Sequence, residues 1–133
     1  MTIELIADGI HLPSTILRLA YKLKGVSHTC LVTDALAYAA AEGVEITDPN
    51  VIIEDGVCKM ADRSSLAGSI ATMDVLVRTM VKAGIPLGDA INMVSETPAR
   101  IMGVDDRKGT FQKERKSTRL TSSHITISYA VFC

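Results

Sequence analysis

The stretch from residue 3 to residue 34, IELIADGIHLPSTILRLAYKLKGVSHTCLVTD, decides the fold. Ile3 to Ala7 is a short apolar run closed by Asp8-Gly9, and Cys30 to Thr33 is a second one closed by Asp34, so both read as buried strands. Between them Pro13 stands where the first turn of a helix tolerates it, and Ile16, Leu17, Leu19, Ala20 and Leu23 recur at helical spacing. Gly25 suits the residue just past the helix end. Strand, helix and strand in so short a span form a βαβ unit, which makes the two strands parallel and the crossover right-handed. Parallel strands present their C-terminal ends on one face of the sheet, and the loops there carry His11 and Asp34.

Working outward, Val51 to Glu54 and Val57 to Met60 flank Asp55-Gly56, a strong hairpin signal, so a β-ribbon interrupts the α/β pattern. Leu66-Ala67-Gly68-Ser69 reads as a small-residue loop. Ile70 to Lys82 then has helical spacing through Met73, Leu76, Val77, Met80 and Val81, with Gly84 as its stop. A helix from Pro86 to about Ser95 follows, then another with Thr97 as N-cap, Pro98 at the first helical position and Gly103 as stop. Lys108-Gly109-Thr110-Phe111 reads as the start of a further strand. The fold class is α/β.

Composition narrows the function. The 133 residues are 47% hydrophobic and 22% charged, the balance of an ordinary folded domain rather than a disordered one. With a formal charge of -1 there is no basic field for nucleic acid or an acidic membrane, and neither is expected as a partner. Three Tyr, two Phe and no Trp leave no stacking platform for single-stranded bases. The three cysteines, Cys30, Cys58 and Cys133, form neither a C-x-x-C pair nor a disulfide framework, which fits a reducing, cytoplasmic setting. No apolar run approaches the roughly 20 residues of a membrane span, and Met1-Thr2-Ile3-Glu4 lacks the basic opening of a signal peptide.

The charge is uneven along the chain. Residues 115–133 hold three bases and no acid, with four Ser and three Thr, and the remainder carries 11 bases against 15 acids. Ile125 to Phe132 has the alternation of a β-strand. The run R-K-S-T-R-L-x-S-S-H followed by I-S-Y-A-V-F-C also resembles the conceptual translation of a sequencing adapter, with Thr121 departing from that pattern. Residues 115–133 are therefore expected to be a non-native tail.

Two side chains invite chemistry. His11 could serve as metal ligand, proton donor or substrate contact, or simply cap the following helix. Asp34, a carboxylate directly after an apolar strand, stands at the mouth of a parallel sheet, where a general base is tunable; the plainer reading is a helix cap. Leu66-Ala67-Gly68-Ser69 could offer backbone N–H groups to an anionic or carbonyl oxygen, or Ser69 could be an ordinary N-cap. His28 precedes its strand and falls on the opposite face, and Met73, Met80, Met93 and Met102 fit apolar helix faces. Cys30 lies within an expected buried strand and Cys58 within the ribbon, so neither thiol is expected to be reactive. No H-x-H or H-E-x-x-H is present, so no metal site is read from the residues.

Taken together, L-I-A-D-G-I-H from Leu5 to His11, L-V-T-D-A from Leu31 to Ala35, L-A-G-S from Leu66 to Ser69 with T-M-D from Thr72 to Asp74, and T-P-A-R from Thr97 to Arg100 resemble the C-terminal part of the N-acetylglucosamine-6-phosphate deacetylase family, within the metal-dependent amidohydrolases. The resemblance implies that the two strands are the seventh and eighth of a (β/α)8 TIM barrel, with residues 1–108 as the C-terminal segment of that barrel, the hairpin as an insertion, and residues 109–114, with Phe111, as the start of a truncated flanking β-domain. It also implies that Asp34 is the proton acceptor and donor, that His11 contacts the phosphosugar, and that Leu66, Ala67 and Gly68 contact substrate through their loop. The family's divalent metal is held by a Glu and two His on earlier strands, which have no counterpart here. The chain is accordingly expected to be a fragment, inactive alone, of a cytoplasmic, homo-oligomeric enzyme of amino-sugar catabolism. Two other readings use the same residues: an amidohydrolase acting on another cyclic amide or amine, or a free-standing non-catalytic βαβ module that binds a sugar phosphate or a partner.

Overall fold

The computed structural model describes residues 1–39 and 47–110. The opening stretch folds as expected: β1 (Ile3–Leu5), α1 (Ser14–Lys24) and β2 (Thr29–Leu31) form a βαβ unit with parallel strands, Ile3 opposite Thr29 and Leu5 opposite Leu31. The pairing extends one bond further, from the Val32 N–H to the Leu5 carbonyl at 3.1 Å. Both strands are shorter than the apolar runs that foretold them, ending at Leu5 rather than Ala7 and at Leu31 rather than Thr33. Ala7 is nonetheless fully buried, so the run marks burial beyond the strand itself. A single 3-10 turn, Val26–His28, joins α1 to β2 and leaves His28 exposed, away from the strand ends that carry His11 and Asp34.

The ribbon is an antiparallel hairpin of β3 (Val51–Glu54) and β4 (Val57–Met60), with Glu54 opposite Val57. Asp55 and Gly56 both take positive φ, 55° and 76°, the conformation a tight two-residue hairpin requires of its turn. Three helices follow: α2 (Met73–Lys82), α3 (Leu87–Val94) and α4 (Glu96–Ile101). The core gathers Leu5, Ala7, Leu17, Leu31, Leu76, Met80, Ala90 and Met93, so the parallel pair and the first three helices share one apolar centre. Tyr21 of α1 donates to the Asp89 carboxylate of α3 at 2.5 Å, a polar tie beside that centre.

Five expectations are corrected. On α1 only Leu17 is fully buried, with Ala20 and Tyr21 packed against the core, whereas Ile16, Leu19 and Leu23 face outward. The helix begins at Met73, not Ile70, because the Ser69 hydroxyl engages the Ala71 N–H at 2.8 Å in a turn and leaves Thr72 at the cap position. Thr97 is not an N-cap: Ser95 holds that position, and Thr97 lies inside α4, buried, donating its hydroxyl to the Val26 carbonyl at 2.9 Å. Residues 108–110 form bends rather than a strand, and Phe111 with the adapter-like tail lies outside the described residues. Met80 and Met93 are core and Met73 packs against it, but Met102 is exposed.

Candidate active site

The loop after β1 is organised by one carboxylate. Asp8 Oδ1 accepts the backbone N–H groups of Ile10 and His11, each at 2.9 Å, and Oδ2 lies 2.7 Å from His11 Nδ1. The Asp8 side chain is 4% exposed and the His11 side chain 16%, so the pair sits mostly out of water. Burial pushes the Asp8 carboxyl up, but the N–H groups of His11 and Ile10 and the His11 ring outweigh it and hold the group below the ordinary carboxylate value. Sequence reasoning used Asp8 as the end of a strand and as a member of the L-I-A-D-G-I-H motif, and gave it no bond to His11. The D-x-x-H spacing was the available signal, since an aspartate three residues before a histidine can turn the backbone and reach the ring at once.

The loop after β2 carries Asp34 in a left-handed conformation, φ 48°, uncommon for a residue other than glycine. The Asp34 carbonyl accepts the Ser69 N–H at 2.9 Å, and the Leu36 N–H returns to the Ser69 carbonyl at 3.0 Å, with Ala35 and Ser69 forming a parallel bridge. The small-residue loop is thereby stitched to the segment after β2. On its other side Ala67 donates to the Cys58 carbonyl at 2.9 Å, and Leu66 bridges Lys59 of β4. Leu66, Ala67 and Gly68 are thus strung between Asp34 and the hairpin. Gly68 has φ 102°, and a Cβ there would stand 3.0 Å from the Asp34 carbonyl oxygen, so the approach depends on glycine.

The hairpin also reaches the other loop, since a Cβ on Gly56 would lie 4.0 Å from Ile10 Cδ1. Asp34 and the 66–68 loop are therefore brought together directly, whereas the loop of His11 meets the ribbon only through the Ile10 side chain. Among the described residues no hydrogen bond links His11 to Asp34. Asp34 is exposed. On the ribbon Lys59 is engaged by Glu54 at 3.1 Å and Asp55 at 2.6 Å, and Arg63 by Glu54 at 3.2 Å, so these cations are already neutralised. Cys30 and Cys58 are buried, and burial raises both thiols, with Glu4 adding to the effect at Cys30. Among the described residues no three His, Cys, Asp or Glu side chains converge to hold a metal ion, and no helix is long and apolar enough to cross a membrane.

The arrangement has relatives. The N-acetylglucosamine-6-phosphate deacetylase of Haemophilus influenzae is 34% identical over 113 residues, covering 82% of this chain and 29% of the relative. That of Caenorhabditis elegans is 34% identical over 133 residues, 97% of this chain and 31% of the relative. Among solved structures, the enzyme of the same name from Pasteurella multocida superposes with a TM-score of 0.78 at 32% identity, covering 86% of this chain and 31% of that one. An aspartate-to-alanine mutant from Mycobacterium smegmatis, in complex with N-acetyl-D-glucosamine-6-phosphate, superposes with a TM-score of 0.64 at 32% identity, covering 78% of this chain and 29% of that one. The chain spans about three tenths of the length of the curated relatives it matches. The amidohydrolase family model matches residues 2–116, and the chain belongs to the amidohydrolase family.

Proposed function

We propose that this chain supplies the last two βα units of a (β/α)8 barrel and part of the catalytic face of an enzyme that hydrolyses N-acetylglucosamine 6-phosphate to glucosamine 6-phosphate and acetate. The observation that carries the reading is Asp34: an exposed carboxylate on a left-handed turn, fixed against Gly68 and Ser69 at the end of a parallel strand. Support comes from the relatives of that name, each more than 30% identical over most of this chain.

In this reading Asp34 takes a proton from the attacking water as its oxygen adds to the amide carbonyl. The same carboxyl then returns the proton to the departing nitrogen, so the amide becomes free amine and acetate. His11 contacts the phosphosugar, and Leu66, Ala67 and Gly68 line its approach through their loop. The described residues do not form a site for the divalent ion that the resemblance implies, so the role assigned to this chain is confined to proton movement and binding. The reading extends to a homo-oligomeric parent in the cytoplasm and to an isolated chain without activity.

The test is a chimera. The Haemophilus influenzae relative receives residues 2–114 of this chain in place of its own matched segment, and release of acetate from N-acetylglucosamine 6-phosphate is measured. Activity is expected; a chimera with a cooperative unfolding transition and no activity contradicts the reading. Residues 115–133 are left out because we read them as a foreign tail, on the break in charge that begins at Arg115 and the family match that stops at residue 116. The Caenorhabditis elegans alignment runs into this region, so genomic sequence decides: native codons in frame through Cys133 would overturn the tail reading.

A further inference from the structure

We propose that Asp8 is a positioning residue for His11, fixing the ring proton on Nδ1 and leaving Nε2 as the one ring nitrogen open to a ligand. The proposal rests on His11 being a substrate contact, yet its principal test uses no substrate. A turn alone does not need a carboxylate here. Only Oδ1 takes the backbone N–H groups of Ile10 and His11, and an asparagine oxygen would serve those two bonds equally well. What the carboxylate adds is Oδ2, a second acceptor 2.7 Å from His11 Nδ1 on a side chain that is 4% exposed.

An ionised carboxylate can only accept, so the proton between the two groups belongs to Nδ1. Which ring nitrogen meets the ligand is set by the bond the other one makes, and here that bond is built into the turn. The backbone N–H of His11 is tied to the same carboxylate, so one group sets both where the imidazole is attached and how its proton is placed. Ring orientation and tautomer are therefore fixed before any ligand arrives, which spares the binding step their cost.

Nitrogen NMR on the full chain labelled with 15N-histidine reads the tautomer directly. The chain has three histidines, and the His11 signals are identified by their loss in His11→Gln. For neutral His11 we expect a proton-bearing Nδ1 and a bare Nε2. In Asp8→Asn the backbone bonds are kept but an amide donor replaces Oδ2, so the pattern should invert with the circular dichroism unchanged. A bare Nδ1 in the wild-type chain, or an Asp8→Asn spectrum identical to wild type, overturns the proposal; if Asp8→Asn fails to fold, the wild-type spectrum decides. In the chimera, Asp8→Asn should lower kcat/KM by about tenfold or more, the usual scale for a supporting partner. An inverted tautomer with unchanged kcat/KM would equally overturn the positioning role. A chimera inactive from the outset counts against the deacetylase reading and leaves the nitrogen spectrum to decide this one.

Discussion

The backbone N–H of Ser69 donates to the Asp34 carbonyl oxygen at 2.9 Å, and the residue between Ser69 and the ribbon side of that loop, Gly68, has its Cα hydrogen where a side chain would strike the same oxygen. Two segments more than thirty residues apart in sequence are thus held at backbone contact, and the Asp34 carboxylate hangs from that contact.

Gly68→Ala should therefore act on Asp34 through the backbone. The added Cβ meets the Asp34 carbonyl at 3.0 Å and Leu36 Cγ at 3.3 Å, and φ 102° is unfavourable for any L side chain. A cost of about 1–3 kcal/mol is expected from strain of this kind, read as a lowered denaturation midpoint. A midpoint equal to wild type would show that the close approach does not matter.

Leu17 and Leu19 should differ sharply although only Arg18 lies between them. Leu17 is 0% exposed and Leu19 52%, so Leu17→Ala should cost about 2–5 kcal/mol and Leu19→Ala less than about 0.5. Denaturant unfolding at low protein concentration measures both. Equal losses would mean that α1 turns a different face to the core.

The acid limb of stability should carry the signature of Asp8. Its carboxyl is held below the ordinary 3.8 in the folded chain, where the N–H groups and the His11 ring outweigh burial. A group with a lowered folded value adds stability that is complete above its unfolded value and is lost as pH falls through the folded one. The stability gap between wild type and Asp8→Ala should hold from neutral pH down to about 5 and shrink below that. A gap that widens on acidification would contradict the sign.

The βαβ unit and the hairpin were legible because their signals are local: apolar runs closed by Asp8-Gly9 and Asp34, and an Asp55-Gly56 turn whose two positive φ angles admit few other residues. The face of α1 was not. Leu17 and Ala20 lie on one side, and Ile16, Leu19 and Leu23 on another, so helical spacing alone offered two stripes and the core took the smaller. Thr97-Pro98 has the form of a helix start, but the hydroxyl found a carbonyl 71 residues earlier, a partner no local rule supplies. The places of Asp34 and His11 after the two strands were readable, whereas the bonds that Asp8 makes to its own loop were not, because no apolar pattern announces them.

His11→Ala in the chimera should raise KM more than it lowers kcat, as expected of a group that binds substrate and transition state alike. Steady-state kinetics with N-acetylglucosamine 6-phosphate separates the two. A loss confined to kcat would move His11 from binding to the chemical step.

The central claim is that Asp34 moves the proton. Turnover of N-acetylglucosamine 6-phosphate by the chimera carrying Asp34→Asn tests it most directly, because the amide keeps the size of the carboxylate and cannot relay a proton. The expected result is a fall in kcat of about 10² to 10⁴, the range that general acid–base catalysis supplies, with the unfolding midpoint little changed. Wild-type turnover in that variant would contradict the claim.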